Sequence, residues 1–167
     1  MLSGILSDTL CLQSPTTTNI DKKVVEELSK IVGVDPEKYA FDMFKAGTSL
    51  EGLTKEEVIK SDFKSFPIGD EKMAIGQVFT LDVDRIFDEL DTYIEKLEEI
   101  NNKEGYKFIV IAITDILKNG SYLIFTENAK SVLESIYKLD DIKQGYYVDG
   151  LVSRKKQILP AILSELN

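Results

Sequence analysis

Hydrophobic residues recur at helical spacing in the N-terminal third of the chain. The spacing predicts a helix that Asp21 caps and Gly33 stops, with an apolar face formed by Val24, Val25, Leu28 and Ile31. A second helix is predicted from Asp35-Pro36-Glu37 to near Gly47, because a capping residue followed by proline is typical of a helix start. Thr54-Lys55-Glu56-Glu57 has the form of a capping box and predicts a third, short helix.

Near Ser61 the hydrophobic period changes from helical to alternating. Asp62 to Phe66 alternates, and an apolar segment from Lys72 to Phe79 follows a turn at 67–70, so the two segments predict a β-hairpin. Lys64 then lies on the face opposite Phe63. Residues 82–100 carry the apolar stripe of an amphipathic helix, and Asn101-Asn102 marks its predicted end.

The C-terminal half supplies the centre of the predicted sheet. Residues 106–114 are nearly continuously apolar, the pattern of a strand buried on both faces, and 121–125 form a second strand after the Asn119-Gly120 turn. A helix over 128–139, a last strand over 146–152 and a terminal helix over 160–166 follow. The predicted fold class is α/β with α+β character: a mixed central β-sheet flanked by helices, in a single domain over 1–167.

Composition places the chain among ordinary globular domains, with 43% hydrophobic and 29% charged residues. The longest apolar run, Phe108 to Ile113, is too short to span a membrane, and the N-terminus lacks the features of a signal peptide. The single cysteine, Cys11, predicts a buried, inert thiol in a reducing compartment. We therefore expect a cytoplasmic protein that does not interact with membranes.

Charge and missing residue types exclude several classes of function. The net charge of −9 argues against nucleic acid as a partner, so any anion site must be local. The chain contains no histidine, which excludes a histidine-based triad and a complete binuclear hydrolase site in this chain alone. It also has no P-loop, GxGxxG, HExxH or GxSxG motif.

The segment Ser153-Arg154-Lys155-Lys156-Gln157 is a run of three cations in an acidic chain. It follows the strand predicted to end at Val152, where the backbone can direct several side chains at one ligand. Arginine offers a planar fork to two oxygens and lysine a compact charge, so the run suits phosphate. A solvated basic turn is the alternative. The local reversal of charge and the apolar segments on both sides favour an anion site.

Three further residues each allow two interpretations. Lys64 is either an anion ligand or an edge-strand lysine that prevents aggregation. Asp8, between Leu6 and Leu10, either caps its own turn or binds a cation. Asp115 has the same two alternatives, and we predict a cap.

Four segments together resemble the manganese-dependent family II inorganic pyrophosphatases of the DHH phosphoesterase superfamily. They occur in that family's order: Gly4-Ile5-Leu6-Ser7-Asp8-Thr9-Leu10 with Ser14-Pro15-Thr16, then Asp62-Phe63-Lys64-Ser65-Phe66, Thr114-Asp115-Ile116-Leu117, and Val152-Ser153-Arg154-Lys155-Lys156-Gln157. The resemblance covers only the C-terminal part of such an enzyme. It implies that 1–167 is the substrate-binding domain, and that the N-terminal DHH domain with most metal ligands is absent.

The resemblance also implies roles for individual residues. Asp8 becomes a metal ligand rather than a cap, while Lys64, Arg154 and Lys155 grip pyrophosphate and Lys156 adds positive field. The implied cofactor is Mn²⁺, with Mg²⁺ or Co²⁺ as alternatives. The implied partners are pyrophosphate or phosphate and the chain's own N-terminal domain, in a homodimeric complete enzyme.

The expected activity is that of an inorganic diphosphatase, a hydrolase that converts diphosphate to two phosphates. The isolated chain is predicted to be inactive, because most metal ligands lie elsewhere. Two alternatives stay open: the C-terminal domain of an exopolyphosphatase or other DHH phosphoesterase, and a free-standing anion-binding module.

Overall fold

A computed structural model describes residues 1–166, which divide into two compact units at Ser49 and Leu50. The first unit consists of α1 (Leu2–Asp8), α2 (Asn19–Val32) and α3 (Pro36–Gly47), which contact one another. Leu6, Val25 and Ala40 are almost completely buried in these helices. The predicted apolar face of α2 is confirmed only in part: Val25 is buried and Val24 and Leu28 are half-buried, whereas Ile31 is 79% exposed.

Polar side chains fix the starts of α2 and α3. Thr18, not Asp21, is the N-cap of α2, and the Asp21 carboxylate accepts the Thr18 backbone N–H to complete a capping box. The prediction that Asp21 is the N-cap is therefore wrong, although Asp21 does take part in capping as the second member of the capping box. Asp35 caps α3 ahead of Pro36, as predicted. Each such cap contributes about 1 kcal/mol to stability.

The second unit is built on a five-stranded sheet with helices in the connections. Its strands are β1 (Phe63–Ile68), β2 (Glu71–Thr80), β3 (Ile109–Asp115), β4 (Gly120–Phe125) and β5 (Tyr146–Asp149). Its helices are α4 (Lys55–Lys60), α5 (Asp84–Phe87), α6 (Leu90–Glu104), α7 (Lys130–Tyr137) and α8 (Leu159–Leu166). A 3₁₀ turn (Glu127–Ala129) precedes α7 and a π-helical turn (Arg154–Ile158) precedes α8.

The sheet is mixed, with strand order β1-β2-β3-β4-β5. Among the strands of residues 1–166, only β2 and β3 pair in parallel, and α5 and α6 form the crossover that a parallel connection requires. Every residue of β3 is buried, as a central strand covered on both faces must be. The predicted mixed sheet flanked by helices is confirmed.

Each face of the sheet carries its own apolar core. On one face α4 and α6 contribute Val58 and Leu97 to a cluster that includes Ile111 of β3. On the other face α7 and α8 contribute Leu133 and Ile162 to a cluster that includes Val110 of β3. Adjacent residues of β3 thus pack into opposite cores, because successive side chains of a strand point to opposite faces of the sheet.

The helix predicted over 82–100 is wrong in both its continuity and its end. It is interrupted at Asp88 and Glu89, where the Glu89 N–H bonds to the carbonyl of Ile86, three residues back, instead of continuing the α-helical pattern. The second part, α6, runs on to Glu104 and ends at Gly105, which adopts a left-handed conformation. Asn101 is buried inside the last turn, so Asn101-Asn102 is not a stop.

Candidate anion-binding site

The cationic run begins a helix rather than ending a strand. β5 stops at Asp149, and Gly150 turns the chain through a left-handed conformation before an extended segment leads into Arg154. The Ser153 hydroxyl accepts the Lys156 N–H at 3.2 Å and caps the π-helical turn that continues into α8. The predicted strand to Val152 is therefore too long, because the serine cap favours helix initiation over continued pairing.

Gln77 of β2 holds the backbone on both sides of Ser153. Its amide nitrogen donates to the Val152 carbonyl at 3.0 Å, and its amide oxygen accepts the Arg154 N–H at 3.2 Å. Gln77 is 4% exposed, so these bonds are shielded from water. A single buried amide thus fixes the entry of the chain into the cationic run.

A chain of buried hydroxyls continues from Gln77. The Gln77 amide donates to Thr114 Oγ1 at 2.9 Å, and Thr114 lies 2.8 Å from the hydroxyl of Ser121, which donates to the Leu151 carbonyl. Because the Ser121 proton is used on Leu151, Thr114 is the donor to Ser121. From the opposite side, Gln157 Oε1 accepts the N–H groups of Val152 and Ser153.

The Arg154 side chain is buried, with the residue 9% exposed. Its guanidinium donates to the Asp62 carbonyl at 2.6 Å, to the Asp62 carboxylate at 2.8 Å and to the Ile75 carbonyl at 3.4 Å. The alternative of a solvated basic turn is therefore wrong for Arg154. The fold directs this cation to the beginning of β1.

Lys64 lies on the same face of the sheet as the residues that Arg154 contacts. It pairs with Ile75 across β1 and β2, and Ile75 belongs to the core that α8 covers. Asp62 lies in the turn directly before β1, and its carbonyl accepts the Gln77 N–H of β2. The structure thus places Lys64 on the sheet face against which Arg154 packs, although the two residues are distant in sequence. β1 is also an edge strand, so the aggregation-guarding role of Lys64 is compatible with its position.

Lys155 and Lys156 are exposed in the first turn of the same helix. Their charges lie next to the positive end of the helix dipole and the capped turn at Ser153. Neither Lys64 nor Lys155 forms an ion pair with any residue between 1 and 166. Two ammonium groups are thus available to an external anion.

Asp8 is the exposed last residue of α1. The turn after it is closed by Thr9, whose hydroxyl donates to the Ile5 carbonyl at 2.6 Å and accepts the Leu12 N–H at 3.1 Å. The Asp8 carboxylate forms no hydrogen bond or ion pair in the described part of the chain, so the cap alternative for Asp8 is wrong. The prediction of a cap holds instead for Asp115, which accepts the N–H groups of Leu117 and Lys118.

The turn after Asp8 has a strained backbone. Leu10, Cys11 and Leu12 are consecutive residues with positive φ of 48°, 52° and 65°. Each costs about 1 to 2 kcal/mol, and such strain is concentrated at functional sites. Cys11 is partly exposed rather than buried, and partial burial raises the pKa of its thiol, with Glu37 and Asp35 adding to the shift. The thiol is therefore protonated at neutral pH and weakly reactive, as predicted.

No group of three or more His, Cys, Asp or Glu residues within 1–166 is arranged to hold a metal ion. None of the helices described there is long and apolar enough to cross a bilayer.

Several residues of the site were not predicted from sequence. Gln77, Thr114 and Ser121 are buried polar residues in apolar strands, and that contrast was the available signal. Asp62 stands two positions before Lys64, but nothing in the sequence indicates that it meets Arg154. Such pairings depend on chain segments that are far apart in sequence.

The fold defines an α/β domain in which Arg154 and Lys64 lie on one face of the sheet. The chain belongs to the DHHA2 domain family, whose model matches residues 42–164. It is 43% identical to a Clostridium acetobutylicum protein named "Probable manganese-dependent inorganic pyrophosphatase", over 99% of this chain and 54% of that protein. A Methanocaldococcus jannaschii protein named "Manganese-dependent inorganic pyrophosphatase" is 36% identical over 97% of this chain and 53% of its own length.

A solved structure supports the same assignment. A crystal structure from Methanococcus jannaschii, of a protein assigned to the family II inorganic pyrophosphatases, matches 99% of this chain with a TM-score of 0.87 and 36% identity. This chain covers 54% of that structure. The chain thus spans about half the length of the relatives it matches.

Proposed function

We propose that this chain is the pyrophosphate-binding half of a manganese-dependent inorganic pyrophosphatase. The observation that carries the proposal is the position of Arg154: a buried guanidinium on the same sheet face as Lys64 and in the same helical turn as Lys155, in a chain of net charge −9. Cations gathered in an otherwise acidic protein attract an anion to one place.

Each cation has a separate part in holding the substrate. The planar fork of Arg154 suits a pair of phosphate oxygens, whereas Lys64 and Lys155 act as point charges on flexible stems. Lys156 contributes only to the positive electrostatic potential around the bound anion. Phosphoryl transfer depends mainly on positioning and charge neutralisation, and these residues supply both for the leaving and electrophilic phosphates.

The Asp8 carboxylate fits a metal ligand, because it is exposed and forms no hydrogen bond or ion pair with residues 1–166. Carboxylate oxygen suits Mn²⁺, and Mg²⁺ as a substitute. When bound, such ions supply Lewis acidity that lowers the pKa of water. The remaining ligands are assigned to an N-terminal half of the complete enzyme, in agreement with the absence of histidine here. A homodimeric, cytoplasmic enzyme is part of the same proposal and rests on the resemblance.

The test is calorimetric titration of pyrophosphate into the 167-residue chain and its lysine variants. We expect Lys64→Ala and Lys155→Ala each to weaken binding about tenfold, and Lys156→Ala less, because each deletes a charge near the bound anion. Lys103→Ala is the matched control, since Lys103 is exposed on α6, over the opposite face of the sheet. Absence of pyrophosphate binding by the unaltered chain, or equal losses in all four variants, contradicts the proposal.

Competition with longer phosphates separates the related activities. The proposal predicts that tripolyphosphate competes no better than pyrophosphate for the same site. Markedly tighter binding of the longer chain indicates an exopolyphosphatase domain instead.

A further inference from the structure

Asp62 contacts the Arg154 guanidinium twice. Its backbone carbonyl accepts from Nη1 at 2.6 Å, and its carboxylate oxygen Oδ1 accepts from Nη2 at 2.8 Å. The same carbonyl also accepts the Gln77 N–H at 2.9 Å, so its position is fixed by the pairing of β1 and β2. Asp62 therefore holds one edge of the guanidinium from the turn that leads into β1.

The third acceptor of the guanidinium is the Ile75 carbonyl, which Nη1 reaches at 3.4 Å. An arginine side chain has about five N–H donors in a fixed plane, and these three bonds occupy both donors of Nη1 and one of Nη2. The Nε–H and the second Nη2–H are left, and they lie parallel on one edge of the plane. Within 1–166 neither has a hydrogen-bond partner.

We propose that Asp62 is a positioning residue that turns the Nε–Nη2 edge of Arg154 toward the bound phosphate. This inference rests on the proposed function and adds to it the edge of the guanidinium that is used and the residue that sets it. Two parallel N–H donors match two oxygens of one phosphoryl group, which is the bidentate geometry that arginine forms with phosphate.

The role of Asp62 is separable from its charge. A carboxylate beside Arg154 repels an incoming anion, so electrostatics alone predicts that removing Asp62 tightens anion binding. Positioning predicts the opposite, because a guanidinium without its anchor samples many orientations and loses order that must be regained on binding. The sign of the change in affinity therefore distinguishes the two effects.

The experiment compares Asp62→Ala, Asp62→Asn and Asp70→Ala by calorimetric titration with pyrophosphate. We expect Asp62→Ala to weaken binding about tenfold or more, through loss of the charge-assisted anchor. Asp62→Asn keeps an oxygen acceptor at the anchor and is expected to recover most of that loss. Asp70→Ala makes the same change in net charge in the turn between β1 and β2, away from Arg154, and is expected to bind as the unaltered chain does.

Nuclear magnetic resonance of the arginine Nε–H groups supplies a readout that stability does not affect. Arg85 and Arg154 are the only arginines in the sequence, so Arg85→Lys assigns both signals. Pyrophosphate is expected to shift the Arg154 Nε–H signal in the unaltered chain and in Asp70→Ala, and to shift it less in Asp62→Ala.

The outcomes separate the inference from the proposed function. If both Asp62 variants bind pyrophosphate more tightly, Asp62 acts only through its charge and the inference is wrong. If Asp62→Ala is less stable but binds with unchanged affinity, Asp62 is purely structural and the inference is again wrong. If the unaltered chain binds no pyrophosphate, the proposed function itself fails.

Discussion

The side-chain amide of Gln77 bonds to the backbone on both sides of Ser153, accepting the Arg154 N–H at 3.2 Å and donating to the Val152 carbonyl at 3.0 Å. Gln77, on the interior strand β2, therefore fixes the position at which the π-helical turn Arg154–Ile158 begins. The bonds are buried, so water cannot replace them if Gln77 is lost.

We expect Gln77→Leu to lower the free energy of unfolding by about 2 to 4 kcal/mol, because it leaves a buried N–H and a buried carbonyl without partners. Pyrophosphate binding by the folded fraction is expected to weaken as well, since the entry to Arg154 is no longer fixed. Urea denaturation measures the first effect and calorimetric titration the second.

Gln13→Leu is the control for that variant. Gln13 is exposed, and such a surface substitution changes stability by at most about 0.5 kcal/mol. Similar stabilities for the two variants contradict a structural role for the Gln77 amide.

Local sequence patterns predicted the elements of this fold where local interactions determine them. The Asp35-Pro36 start of α3 and the buried β3 are both confirmed, because a cap and an apolar run act within a few residues. The break at Glu89 and the end of β5 at Asp149 were missed. At Glu89 hydrogen bonding departs from the helical pattern without a proline or glycine to mark the change, whereas Asp149-Gly150 is a turn signal that the strand prediction to Val152 did not use.

For the site, sequence predicted the cations but not what holds them. Arg154 was identified from its charged run, whereas its burial against Asp62 depends on a contact across the fold. Gln77 was visible only as a polar residue in an apolar strand. The assignments of Lys64, Lys155, Lys156 and Asp8 to ligand binding stay predictions, which the titrations above and the assay below address.

Gly76 lies opposite Phe63 in the hairpin, in a space that excludes a methyl group. A Cβ there approaches Ile111 Cδ1 to 2.6 Å and the Ile59 carbonyl to 3.2 Å. Because Ile111 is completely buried and the carbonyl is backbone, we expect Gly76→Ala to destabilise the fold by about 1 to 3 kcal/mol.

Gly47→Ala is the matched control for Gly76→Ala. No atom of the described chain apart from the immediate backbone lies within 4 Å of a Cβ at Gly47, which ends α3. Alanine is favoured over glycine in a helix, so this variant is expected to be neutral or slightly stabilising. Thermal unfolding of both variants checks the prediction, and an equal loss in both contradicts it.

The 167-residue chain alone is expected to release no phosphate from pyrophosphate in the presence of Mn²⁺. Asp8 is its one proposed metal ligand, and a single exposed carboxylate does not hold a divalent ion in a catalytic arrangement. The complete Clostridium acetobutylicum relative, assayed for phosphate release in parallel, is the positive control. Steady, metal-dependent release by the short chain shows that it holds more of the metal site than Asp8.

Tyr137 makes stability depend on alkaline pH. Burial raises the pKa of Tyr137 above its ordinary value of 10.0, and Tyr146, whose ring centroid is 5.7 Å away, adds to the shift. When folding raises the pKa of a group, the group's contribution to the free energy of unfolding is fully present at pH values below the pKa that it has in the unfolded chain. That contribution is lost as pH rises through the folded pKa, because the unfolded chain releases the proton first.

Urea unfolding of the unaltered chain is therefore expected to show falling stability above about pH 10. Tyr137→Phe, which removes the titrating phenol and keeps the ring, is expected to reduce that fall. An identical pH dependence in the two proteins contradicts the assignment to Tyr137.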